Sequence, residues 1–139
     1  MRATALKVLL VEDDQDHVFL IRRALADLVG VAVVVEVAGD GEQAMERLAR
    51  SRFEPGGPPQ LVLVDLKMPR MDGLEVLRRV RSEASHDLPV VVLTSSERQE
   101  DREEALRLGA TWFVCKPTDG RRFRSEVQQL GQRWAELMA

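Results

Sequence analysis

A lone cysteine, Cys115, excludes an internal disulfide, so packing rather than cross-linking must hold this chain together. Lysine is almost missing as well. Of 20 basic side chains only Lys7, Lys67 and Lys116 end in an ammonium, a compact and flexible point charge where arginine offers a planar fork. No apolar run reaches the roughly 20 residues that a bilayer requires, and the start, Met1-Arg2-Ala3-Thr4-Ala5, lacks a signal-peptide core. A cytoplasmic protein without a membrane partner is the simplest expectation. There is no marked excess of either charge; the formal value of −3 gives no general attraction to nucleic acid. Repeats of solenoid period are absent, and the one compositionally biased stretch is Glu54-Pro55-Gly56-Gly57-Pro58-Pro59, which reads as an exposed spacer.

What is present is ordinary in amount and unusual in placement. The 139 residues, 45% hydrophobic and 31% charged, suit one domain over residues 1–139 with its own core. Lys7-Val8-Leu9-Leu10-Val11 reads as a buried strand that stops at three acids, Glu12-Asp13-Asp14. Val18, Ile21, Leu25 and Leu28 then recur at helical spacing over 15–29, with Gly30 as the stop. The β-branched run 31–37 predicts a second strand. Asp40 with Gln43 forms a capping box for a helix through residue 51, with Ala44, Met45 and Leu48 inward.

Leu61-Val62-Leu63-Val64 is apolar throughout, the mark of a strand buried on both faces, and it ends in Asp65. Asp72 and Glu75 cap a third helix through residue 80 or a little beyond, with Leu74, Leu77 and Val80 facing in. A fourth strand, 88–93, leads to Thr94-Ser95-Ser96. The helix expected over 98–108 has no apolar side chain in its first two turns, leaving Ala105, Leu106 and Leu108 as anchors and its start as a mobile or partner-facing element. Residues 111–115 predict a fifth strand, ending at Lys116-Pro117. A last helix over 119–137 carries Phe123, Val127, Leu130, Trp134 and Leu137 as one stripe, most of it core, with Trp134 and Leu137 available to a dimer face.

Strands alternating with helices fold as an α/β domain, a parallel sheet with helices on both sides. In the doubly wound, flavodoxin-like order 2-1-3-4-5, the first and third strands are neighbours where ligands collect, just beyond the strands' carboxyl ends. Alone, Asp65 would read as a loop cap. In that order it meets the acids after the first strand. Two unit charges about 4 Å apart repel by roughly 4 kcal/mol at an effective dielectric near 20, so the cluster calls for a hard cation such as Mg²⁺. Thr94 adds a hydroxyl and Lys116 an ammonium. Together they are the equipment for forming and holding an aspartyl phosphate.

Leu10-Val11-Glu12-Asp13, Val64-Asp65 with Met68-Pro69 and Met71-Asp72-Gly73, Leu93-Thr94-Ser95, and Phe113-Val114-Cys115-Lys116-Pro117 resemble the receiver domain of two-component response regulators. The resemblance implies a phosphoacceptor at Asp65, a direct Mg²⁺ ligand at Asp13, a ligand acting through water at Glu12, and a further ligand in the backbone carbonyl of Lys67. It also implies phosphoryl contacts from Thr94 and Lys116, a cis Lys116-Pro117 bond, and a switch aromatic at Phe113, beside a bulkier Trp112. The chain would be a phosphorelay signalling protein that catalyses only its own phosphorylation and dephosphorylation, with no output domain. Its partners would be a histidine kinase and an unknown downstream protein met by the fourth helix, fifth strand and fifth helix. The Pro/Gly loop and the late Trp134 resemble small stand-alone regulators paired with bacterial phytochrome kinases, many of them homodimers.

Other chemistries fit less well. Haloacid-dehalogenase phosphatases place a second carboxylate two residues after the nucleophile, where this chain has Lys67. A flavin or dinucleotide module would need a glycine cradle after the first strand, and that turn is acidic. A non-phosphorylated pseudo-receiver would leave chemical positions unfilled, and all are filled. His17 and His86 lack a second ligand at metal spacing and read as surface or packing residues. Cys115 reads as an inert small hydrophobe.

Overall fold

The computed structural model describes residues 4–84 and 87–138, so the expectation for His86 lies outside the described residues, as does that for the Leu137 side chain. In chain order the elements are β1 (Thr4–Val11), α1 (Gln15–Ala26), β2 (Val31–Ala38), α2 (Gly41–Ser51), β3 (Leu61–Val64) and α3 (Gly73–Arg79). After them come β4 (Val90–Thr94), α4 (Gln99–Arg107), β5 (Trp112–Cys115) and α5 (Gly120–Met138). The five strands pair in parallel, as the alternation of elements predicted, and in the expected flavodoxin-like order β2-β1-β3-β4-β5.

Period-two alternation divides every central strand between two cores. Leu6, Val8, Leu10, Leu61, Leu63, Val91 and Leu93 point to one face, under Ile21 and Leu25 of α1 and Phe123, Val127 and Trp134 of α5. Leu9, Val11, Val62, Val64, Val90 and Val92 point to the other, under Ala44 and Leu48 of α2, Val76 and Leu77 of α3, and Ala105 of α4. The bulky neighbours on β5 are separated by the same rule. Trp112 joins the α1/α5 core, edge-on to Trp134 at 5.8 Å, whereas Phe113 joins the core beneath α4, with the Arg102 guanidinium 5.9 Å from its ring centroid.

The caps act largely where the sequence places them. Asp40 Oδ1 accepts from Gln43 N (2.8 Å), but the Gln43 amide answers to Gly39 N (3.0 Å) rather than to the cap residue's own N–H. Asp72 Oδ1 accepts from Glu75 N (3.0 Å), and Glu75 spends its carboxylate on Arg78 instead of closing the box. The third helix continues past Arg79 as a π-helical turn, Val80–Ala84. Wider winding there aims Arg81 at the carbonyls of Gly109 (2.7 Å) and Leu88, fastening the end of α3 to the turns flanking β4 and β5.

Three expectations need correction. Leu106, expected to anchor α4, is 44% exposed, because Ala105 alone fills the inward position at that level of the helix. Cys115 lies at the end of β5 and is exposed rather than buried in the strand; partial desolvation and then Glu97 and Glu126 push its thiol upward in pKa, so it remains a poor nucleophile. The Lys116–Pro117 bond is trans, since no cis peptide occurs among the described residues; trans is the intrinsic preference of X–Pro bonds by about 0.5–1 kcal/mol.

Candidate functional site

Strand register brings the chemistry together. Val11 lies beside Val64, and the ladder runs one residue past both strand ends: Asp65 N donates to Val11 O (3.0 Å) and Glu12 N to Ala38 O (3.0 Å). Thr94 lies beside Cys115, and Lys116 N donates to Thr94 O (2.6 Å). Glu12, Asp65 and Lys116 are therefore the first residues beyond their strands, held by sheet hydrogen bonds and aimed into one crevice at the carboxyl edge.

All three are buried, Glu12 almost completely. Asp13 stands next to Glu12 and is exposed. One carboxylate oxygen from each of Glu12, Asp13 and Asp65 lies within 4.8 Å of the others. An all-oxygen set of three carboxylates, one of them open to solvent, suits a hard divalent cation that keeps several waters. Burial raises the Glu12 pKa to about 7 against the pull of Lys116, and the Asp65 charge adds to the rise. That is the mark of an acid placed where extra positive charge is wanted.

The Lys116 ammonium bonds Glu12 Oε1, approaches Asp65 Oδ2 at 3.1 Å, and meets His17 Nδ1 at 2.8 Å. The sequence points His17 to the surface or to packing, because metal spacing is the only signal a lone histidine can offer there. It sits in the first turn of α1, just past the carboxyl end of β1, where the Lys116 side chain arrives from the end of β5, so residues 99 apart in sequence meet.

Lys67 lies in the loop two residues past Asp65, its side chain exposed and its amide donating to Asp65 Oδ1 at 3.3 Å. Glycine is required just beyond: a Cβ on Gly73 would lie 2.3 Å from the Asp65 carbonyl oxygen, and one on Gly41 2.3 Å from that of Met71. The loop after Asp65 is thus pressed against the starts of α2 and α3. Thr94 is buried, and its hydroxyl accepts from Ser96 N at 3.3 Å. Phe113 stands apart from the carboxylates, half-buried, on the wall of a groove of about 630 Å³ shared with Arg102, Leu106 and Leu130.

Comparison with known proteins agrees with this geometry. The model of the response regulator receiver domain matches residues 8–128. The probable methanogenesis regulatory protein FilR2 of Methanothrix harundinacea (strain 6Ac) is 36% identical over 131 residues, which cover 91% of this chain and 82% of that protein. The phosphorylated cyanobacterial phytochrome response regulator RcpA superposes with a TM-score of 0.87 at 29% identity, over 95% of both chains. The Mn²⁺-bound form of response regulator Rcp1 gives 0.85 at 28% identity, over 93% of this chain and 94% of its own.

Proposed function

The chain belongs to the response regulator receiver domains of two-component signalling, and from that premise we propose that Asp65 is its phosphoacceptor, loaded by a histidine kinase. The observation that carries the reading is the meeting of Asp65 with Glu12, Asp13 and Lys116 in one crevice. Family membership makes the chain a phosphoacceptor signalling domain rather than an enzyme with a separate substrate.

In the proposed step an Asp65 carboxylate oxygen attacks the phosphorus of a phosphohistidine. The O–P bond forms as the N–P bond breaks, and the imidazole of the kinase leaves with the electron pair. Lys116, already 3.1 Å from Asp65, neutralises the carboxylate and then holds a phosphoryl oxygen. Thr94, at the end of β4, accepts from Ser96 N and still has its own O–H to donate to another. Asp13 and Asp65 would hold Mg²⁺ directly, with Glu12 reached through water and the Lys67 carbonyl completing the protein's share. The bound metal supplies charge neutralisation for the incoming phosphoryl group; Mn²⁺ in the similar regulator Rcp1 supports a divalent ion here. Water attack on the same phosphorus would reverse the state, so the chain would catalyse its own dephosphorylation.

The signal would leave through Thr94 and Phe113 to α4, β5 and α5. The start of α4 is polar, and Leu106 is exposed beside the groove that Phe113 lines. That face is the proposed site of a downstream partner or a second copy. The likeness to the cyanobacterial phytochrome response regulator RcpA supports a bacterial phytochrome as the kinase. The cytoplasm is the proposed compartment; among the described residues no helix is long and apolar enough to cross a membrane. Intact-mass measurement after incubation with acetyl phosphate and Mg²⁺ tests the first step. One added phosphoryl group is expected, absent in Asp65→Asn; a variant that still gained it would sink the assignment.

A further inference from the structure

An ammonium has three N–H donors, and Lys116 faces three acceptors: Glu12 Oε1, Asp65 Oδ2 and His17 Nδ1. Two of the three are carboxylates that the proposed function commits elsewhere, Glu12 to the metal's water and Asp65 to the phosphoryl group. His17 is the acceptor with no other task. Its place is set independently of the carboxylates. Asp14 caps α1 and takes the His17 amide at 3.3 Å, and the imidazole lies 5.5 Å from the ring of Phe123 in the first turn of α5. The ring is therefore held between α1 and α5, with Nδ1 toward Lys116 and its distance to the nearer oxygens of Glu12 and Asp14, 3.6 and 3.7 Å, too long for hydrogen bonds.

We propose that His17 is a positioning residue for phosphorylation: its Nδ1 keeps the Lys116 ammonium over Asp65 when Glu12 and Asp65 turn to other partners. This rests on Asp65 being the phosphoacceptor. The role depends on an acceptor at the δ position and not on a ring as such, which separates it from packing against Phe123. The contact also dictates the tautomer, since a lone pair on Nδ1 requires the proton on Nε2.

Two measurements test it. The first is ¹⁵N spectroscopy of the wild-type chain, which has only two histidines, His17 and His86. His17 should carry its proton on Nε2, and its Nδ1 resonance should move in Lys116→Met. A proton on Nδ1 overturns the proposal. The second is the rate of phosphorylation by acetyl phosphate at saturating Mg²⁺. His17→Phe keeps the aromatic packing without the acceptor and should be about tenfold slower, as expected for one hydrogen bond to a charged group. His17→Asn restores an acceptor near the Nδ1 position and should recover to within about threefold of wild type on the same scale. Equal rates for His17→Phe and wild type, or equal slowing in both variants, overturn the role. If wild type gains no phosphate, the reading of Asp65 falls and takes this one with it. A phosphorylated wild type with an unslowed His17→Phe variant refutes His17 alone.

Discussion

Replacing Glu12 by Gln should stabilise the metal-free protein at alkaline pH and do little in acid. Glu12 is raised from 4.5 to about 7 in the folded chain, chiefly by burial. Between those values the folded state keeps a proton that the unfolded state has released, so the stability of the wild type falls as pH rises through this window. Below 4.5 the group is protonated in both states and contributes no penalty. Above 7 the penalty is complete: a shift of this size corresponds to about 3 kcal/mol at 1.36 kcal/mol per pKa unit.

The substituted amide cannot ionise. Its oxygen can still accept from Lys116, so packing and the hydrogen bond are kept while the charge is removed. The quantity of interest is the stability of Glu12→Gln minus that of wild type, measured in EDTA at pH 8 and again at pH 4, where groups common to both proteins cancel. The difference should grow by about 3 kcal/mol from acid to alkali. Asp65 shares the Lys116 ammonium, and any part of the burden it takes over reduces that figure without changing its sign. Urea unfolding followed by the emission of Trp112 and Trp134, both packed in the α1/α5 core, gives each free energy by linear extrapolation. Adding Mg²⁺ at pH 8 should stabilise wild type more than the variant. A pH-independent difference, or a variant less stable at pH 8 than at pH 4 relative to wild type, would refute the claim that buried charge at Glu12 strains the empty crevice.

Gly73→Ala should lose about 1–3 kcal/mol by urea unfolding, because its new methyl would overlap the Asp65 carbonyl oxygen at 2.3 Å; unchanged stability would show that the loop after Asp65 yields freely. Trp134→Phe should be nearly neutral in the same assay. Among the described residues the buried indole N–H has no hydrogen-bond partner, and removing an unsatisfied donor recovers about 1–3 kcal/mol against the area lost; a cost well above this range would mean that the N–H is satisfied. Arg81→Met should lower stability by about 1–3 kcal/mol, since the Gly109 and Leu88 carbonyls lose a charged donor, and amide exchange near Gly109 should quicken.

The parts of this molecule legible in sequence are those fixed by local pattern. Leu61 to Val64 is apolar at every position and is a strand buried at every position, with the breakers on either side setting its limits. Asp40 and Asp72 open their helices because a short carboxylate satisfies an orphan N–H two or three residues on, a local event. What stayed hidden depended on where elements dock. The π-helical turn after Arg79 answers to the carbonyls of Gly109 and Leu88, which no helical periodicity can announce. The exposure of Leu106 follows from Ala105 alone taking the inward position of α4 at that level. His17 carries no motif, and its meeting with Lys116 exists only once α1 and α5 are side by side over the same face.

The same reasoning explains why the site cannot be separated from the fold. Glu12, Asp65 and Lys116 face one crevice because each is the first residue past a strand and each amide still completes a sheet hydrogen bond. A slip of one residue in β1 against β3 would turn Val11 and Leu10 to the wrong cores and carry the Glu12 carboxylate to the opposite face. Two fully buried apolar cores oppose that slip, far outweighing the few kcal/mol by which crowded carboxylates repel. The burial of Leu10 against α1 and α5 and of Val11 against α2 and α3 thus holds the acids in mutual repulsion. An added cation or the Lys116 ammonium can relieve that repulsion; movement of the strands cannot.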